Sequence, residues 1–173
     1  MFSDLIKKRR SIRKFKDQPL KKEEIKTILE AGLRSPTAKN LKSVHFVVVE
    51  DKDTLEKLSH FKTKNAGFLK DAALAIAVLS DKRLAVTTYS QDATIAATIL
   101  QLQAEDLDIG SCWANINIAV NDKGIPAGDA VREILDIPEY MNVECVLAFG
   151  YKNEKKSEKA LRSFEDFVHY GKF

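Results

Sequence analysis

Arg9-Arg10-Ser11-Ile12-Arg13-Lys14-Phe15 concentrates more reactive chemistry than any other stretch of the chain. Four basic side chains and a hydroxyl surround two apolar residues. Guanidinium and ammonium groups beside a hydroxyl and free backbone N–H groups make a receptor for a phosphate monoester. Ile12 and Phe15 would pin such a segment to a core. Read alone, the stretch is either an anion site or a solvated basic face. A second candidate is the polar loop Pro36-Thr37-Ala38-Lys39-Asn40, followed by Lys42. Asn40 offers a donor and an acceptor, which suits the edge of a heterocycle, although Pro, Thr and Asn also fill ordinary turns. Trp113, the sole tryptophan, reads by default as core.

Other chemistries find less support. His45, His60 and His169 are scattered, and no Cys/His cluster has metal-ligand spacing. No GxSxG or Cys/His signature marks a nucleophile. Gly110 and Gly124 do not make a GxGxxG, so neither a dinucleotide-binding Rossmann fold nor a P-loop is expected. Cys112 and Cys145 lie in apolar runs and read as free thiols of a reducing compartment. Twenty-eight basic against 25 acidic groups give a net charge of +3, too mild for a nucleic-acid face. The excess is nevertheless local, with ten Lys/Arg against four Asp/Glu between Met1 and Lys26. Neither a signal-peptide pattern nor a membrane-length apolar run occurs, so a soluble cytoplasmic protein with no membrane partner is expected.

The elements that must position these residues follow from periodicity. Ser3 is a candidate N-cap for a short helix from Asp4 to Lys8. Ile25, Ile28, Leu29 and Leu33 recur at helical spacing within Glu23 to Leu33. Val44 to Val49 and Val143 to Phe149 are β-branched and apolar runs that read as buried strands, and Ala72 to Leu79 reads as a third. Asp51 to Phe61 reads as an amphipathic helix. Ser90 to Leu107 is apolar on most faces, so it is buried in a domain centre or across a subunit interface. Asp108-Ile109-Gly110 reads as a turn into a strand from Ser111 to Ile118. Asp129 is a candidate N-cap for a helix from Ala130 to Leu135. The charged tail from Tyr151 to Phe173 carries Phe164, Phe167, Val168, Tyr170 and Phe173, which points to wrapping over something, such as a second subunit. No repeat or linker divides the 173 residues, so one domain of helices on a small sheet, α/β or α+β, is expected.

Order and spacing then narrow the field. Arg-Arg-Ser-x-Arg-x-Phe, Pro-Thr-Ala-x-Asn some twenty residues on, and Gly-Ser-Cys-Trp after a long apolar helix resemble the nitroreductase family. The likeness runs from about Asp4 to Phe173 and takes in Phe149-Gly150-Tyr151 and Val168-His169. It implies an α+β, three-layer α/β/α sandwich with a small, mostly antiparallel sheet and a C-terminal extension embracing a partner subunit. It also implies a homodimer with FMN at the subunit interface, reduced by NADH or NADPH. The electrons would pass in a ping-pong cycle to an electron-poor acceptor such as a nitroaromatic or quinone. Position by position, Arg9, Arg10 and Ser11 resemble phosphate and ribityl contacts. Arg13 resembles the cation at the pyrimidine edge, where reduction leaves negative charge near N1 and O2. Pro36, Thr37 and Asn40 resemble the loop that reaches FMN from the other subunit. Trp113 belongs to the third motif, and the backbone at Ala114-Asn115 would lie by flavin N5. Arg162, with Lys159, resembles a tail cation returning to the phosphate.

The resemblance implies no side-chain acid or base, because the chemistry resides in the cofactor. Three departures stand out. Lys42-Ser43-Val44 replaces the family's frequent Gln-Pro-Trp, which puts Lys42 near the flavin or pointing away. Ala114-Asn115-Ile116 replaces a glycine pair. Lys62 to Leu69 is too short for the larger inserts that cover the substrate pocket in bigger relatives. A non-catalytic FMN-binding or sensing module is the alternative reading.

Overall fold

Continuous apolar strands need cover on both faces, and the computed structural model, which describes residues 1–158 and 160–173, supplies it. β2 (Leu74–Asp81), buried at every position, and β4 (Met141–Tyr151) form the centre of a four-stranded sheet. β1 (Val44–Val49) and β3 (Ile109–Asn115) are its edges, in the order β1-β2-β4-β3, and every pairing is antiparallel. Side-chain alternation divides the core in two. Ala75, Ala77, Cys112, Ala114, Val146 and Ala148 face α3 (Lys52–Ser59) and α5 (Ala127–Ile134). Leu74, Ile76, Val78, Leu147 and Phe149 face α2 (Lys22–Leu33) and α4 (Tyr89–Asp106). The result is the expected α+β sandwich of three layers, α/β/α. Both cysteines are free and buried, on opposite faces of the sheet. Among the described residues no helix is long and apolar enough to cross a membrane.

Several boundaries differ from the sequence expectations for local reasons. α1 (Phe2–Lys8) starts two residues early, with Met1 in the capping position and its ammonium 3.1 Å from Asp4 Oδ2; Ser3 lies inside the first turn. β1 is only half-buried along most of its length, because an edge strand has one sheet neighbour. α3 ends at Ser59, and α5 begins at Ala127 behind Pro126, so Asp129 sits in its first turn and not at its cap. Asp108 alone, at φ 57°, makes the reversal into β3. Gly110 is therefore a strand residue, and β3 stops at Asn115.

Gly110 shows how the fold holds the basic segment. Ile12 donates its N–H to Ser111 O at 2.9 Å, and Ser11 bridges Ser111 in parallel. A Cβ on Gly110 would lie 2.8 Å from Ile12 Cγ2, and one on Gly150 would lie 2.9 Å from Phe15 Cδ1. Two strand glycines thus seat the two apolar anchors. Lys16 N–H donates to Tyr151 O and Asn153 N–H to Lys14 O, each at 2.9 Å, which stitches the segment to the end of β4.

Candidate functional site

With Ile12 and Phe15 turned inward, the cationic side chains of the same segment are left at the corner where β3 begins and β4 ends. Arg9, Arg13 and Lys62 all lie close enough to the Cys112 thiol to act on it electrostatically. Burial raises that thiol above its ordinary pKa; Arg13, Lys62 and Arg9 oppose the rise and Glu154 adds to it. Glu154 is already engaged, accepting the N–H groups of Arg13 (2.5 Å) and Lys14 (3.2 Å) and pairing with Lys156 at 2.6 Å. Among the described residues, Arg9, Arg13 and Lys62 form no ion pair. With Glu154 paired to Lys156, the side-chain charges of Arg9, Arg13 and Lys62 are left for an anionic ligand. Arg10 is half-buried and donates through Nη1 to Ser157 O, so the start of the C-terminal segment runs beside it. The half-buried Ser11 keeps its hydroxyl free of hydrogen bonds among the described residues.

Lys62 is the residue that sequence reasoning missed. It stands outside every motif, and only the fold brings its Nζ to the carbonyl of Asn115, at 2.9 Å and 53 positions away. Burial lowers its pKa, with the Cys112 thiol acting in the opposite direction. Thr63 fastens the same loop to Val120 O through its N–H (3.0 Å) and hydroxyl (2.8 Å). A cation is thereby fixed on the backbone where β3 ends.

Ala114 is buried in the ladder opposite Val146, so only its backbone is available, whereas Asn115 is exposed. Trp113 points to the other face of the sheet from Cys112, packs half-buried against the α2/α4 core, and donates Nε1–H to Asn115 Oδ1 at 3.5 Å. Its ring is not on the Arg13 side. Arg162 is exposed in the tail, its guanidinium 5.0 Å from the centre of the Phe167 ring. Lys159 lies outside the described residues.

The second motif forms a separate site. Ala38–Asn40 make a single 3₁₀ turn, and Lys39, Asn40 and Lys42 adopt φ of 51°, 56° and 53°. Three non-glycine residues in the left-handed region of one loop are uncommon and cost energy at each position. Thr37 Oγ1 accepts the Lys42 N–H at 3.1 Å. Pro36, Thr37, Asn40 and Lys42 line a cavity of about 390 Å³ floored by Val44 and Phe46. This loop precedes β1, at the edge and end of the sheet opposite Arg9–Phe15: Val44 stands against Ser80, whereas Ser111 stands against Phe149, the partner of Leu74. Three strand spacings across and about six residues along separate the two by more than ~20 Å. One subunit does not bring them to one ligand.

The family model described as the nitroreductase family matches residues 6–62 and 56–151. A solved FMN-dependent nitroreductase from Clostridium difficile R20291 superposes with a TM-score of 0.93 at 40% identity, covering 98% of both chains. A provisionally named NADH dehydrogenase/NAD(P)H nitroreductase of Archaeoglobus fulgidus is 35% identical over 155 residues, 88% of this chain and 86% of its own. A protein of the same provisional name from Methanothermobacter thermautotrophicus is 31% identical over 172 residues, 98% of this chain and 86% of its own.

Proposed function

The chain belongs to the nitroreductase family, and we propose from that premise that, as an FMN-dependent NAD(P)H oxidoreductase, it serves an electron-poor acceptor such as a nitroaromatic or quinone by a ping-pong cycle. The reading takes residues 1–173 as one domain of a cytoplasmic homodimer. When bound, FMN supplies the hydride and electron transfer at its N5. The chain's own part is binding, orientation and electrostatics.

The observation that carries the reading is that Arg9, Arg13 and Lys62, grouped about Cys112, form no ion pair among the described residues. Arg9, Arg10 and the free Ser11 hydroxyl are the groups to hold the phosphate and ribityl chain. Arg13 and Lys62 would stabilise negative charge at the pyrimidine edge. Asn115, whose carbonyl accepts from Lys62, would lie beside the edge at which the bound flavin exchanges hydride. The distance from this corner to Pro36, Thr37, Asn40 and Lys42 supports a split site, in which that loop of a second copy closes over the ligand. Arg162 would return to the phosphate from the C-terminal segment that passes Arg10.

Purification gives the test. The protein is expected to be yellow with non-covalent flavin, or to take up added FMN, and to be bleached by NADH or NADPH. A colourless protein that ignores FMN refutes the reading. Tight FMN binding with no NAD(P)H oxidation under any acceptor would make it a binding or sensing module instead.

A further inference from the structure

Asp92 is a carboxylate with only 3% of its surface exposed, in the first turn of α4, and the cofactor chemistry makes no use of it. Its Oδ1 accepts the Ala38 N–H at 3.0 Å, and its Oδ2 accepts the Ser43 hydroxyl at 3.2 Å. Thr88 Oγ1 stands 3.5 Å from the same Oδ2. Ala38 and Ser43 bracket the strained residues Lys39, Asn40 and Lys42, so one side chain ties both ends of that piece to one helix. The exit of the loop has its own anchor, since Ser43 O accepts the Asp81 N–H at 2.8 Å. Asp92 is thus needed for the shape of the loop and not for the start of β1.

A buried carboxylate costs desolvation, and apolar packing would hold a loop against a helix at least as well. What apolar packing does not supply is two directed acceptors. The positive end of the α4 dipole favours the carboxylate at this place. We infer that Asp92 is the positioning residue of the split cofactor site: through Ala38 and Ser43 it holds Asn40 and its neighbours in the strained geometry that meets the ligand of a second copy. The inference deepens the proposed function and rests on it for the ligand. The clamp itself is a property of the chain alone.

The test compares Asp92→Ala with Asp92→Asn in the full-length protein. Asparagine keeps Oδ1 as an acceptor for Ala38 and can donate to Ser43 Oγ; alanine keeps neither bond. Amide hydrogen exchange at residues 38–42 without FMN is expected to speed up about ten-fold or more in Asp92→Ala and to stay near wild type in Asp92→Asn. FMN affinity is expected to fall about ten-fold or more in Asp92→Ala and to be recovered by asparagine. A double variant with Asn40→Ala is expected to bind FMN no more weakly than Asp92→Ala alone, because the two act through one loop. Unchanged exchange at 38–42 in Asp92→Ala overturns the clamp. A loosened loop with wild-type FMN affinity, or strict additivity with Asn40→Ala, overturns the positioning role. If wild-type protein takes up no FMN, the flavin reading fails, and with it the role assigned here, while the exchange data still judge the clamp by itself.

Discussion

Arg9 and Arg13 stand on the same segment but meet different surroundings, and their substitutions should separate. Arg9 is half-buried beside Ser11, in the place suited to a phosphate, whereas Arg13 is exposed at the Phe68 end of the corner, 6.0 Å from the centre of that ring. A hydrogen bond to a charged group contributes roughly 1.5–3 kcal/mol. Arg9→Ala is therefore expected to weaken FMN binding about 10- to 100-fold by equilibrium titration, with little change in the potential of the flavin that remains bound. Arg13→Ala should do the opposite. Loss of one nearby cation worth about 1.4 kcal/mol to the reduced form makes a two-electron couple on the order of 30 mV more negative. Redox titration of the bound flavin against a reference dye measures it, and an unchanged potential would remove Arg13 from the pyrimidine edge. The arginines were legible in the sequence because they form a dense motif. Lys62 and Asp92 were not. Lys62 acts through a bond to a carbonyl 53 positions away and Asp92 through bonds to Ala38 and Ser43, 54 and 49 positions away, and no spacing rule encodes such contacts.

At the scale of elements, the fit between the basic segment and the sheet edge controls the site. Gly110 has no room for a Cβ, because Ile12 Cγ2 and Cβ would stand 2.8 and 2.9 Å away, both on a stiff β-branched side chain. Gly110→Ala should cost about 1–3 kcal/mol of stability as overpacking, a fall of about 2–4 °C in Tm per kcal/mol at this size. It should also weaken FMN binding by displacing Arg9 and Ser11, which a remote destabilisation of equal size would not do. A second clamp joins the end of β2 to the approach to β4. The Arg83 guanidinium beside Asp81, 2.6 Å away, holds that carboxyl at about 2, and the same guanidinium stacks 3.5 Å over the centre of the Tyr140 ring. Since Asp81 is depressed in the folded state, the unfolded chain takes up the proton first as pH falls. The contribution of the pair is whole above about pH 5 and is lost on the way down to about pH 2. Thermal melts of wild type and Arg83→Met should therefore differ at pH 7 and converge with acid. Strands were readable from their β-branched runs and α4 from its apolar faces. The edge position of β1 and the start of β3 at Ile109 were not, since burial along a strand depends on which strand pairs beside it.

At the scale of the whole molecule, the chain leaves apolar surface uncovered at its C-terminal end. The last thirteen residues contribute no buried side chain: Leu161 is 92% exposed and Tyr170 85%, with Phe164, Phe167 and Phe173 also open. Their one ordered turn, α6 (Phe164–Phe167), is capped by Ser163 Oγ, which accepts the Asp166 N–H at 3.4 Å. Apolar side chains grouped so densely on a chain otherwise well packed mark an interaction surface. Ile95 on the outer face of α4 is a further exposed apolar residue. The composition of the tail made this legible in the sequence, whereas the diagonal separation of Arg9 and Asn40 emerged only from strand order. Deleting residues 161–173 removes surface that one subunit does not use, so the remaining protein should keep its far-ultraviolet circular dichroism. If the tail embraces a second copy, the deletion should shift sedimentation from dimer toward monomer at micromolar concentration and lower the flavin retained on gel filtration, because it takes away Arg162 and unties the loop of the other subunit together. Excess FMN should then partly restore the dimer, since a ligand held between two subunits stabilises their association by mass action. A truncated protein that stays dimeric and fully loaded would confine the assembly to α4 and its neighbours, and would leave the exposed aromatics of the tail without a role at the site.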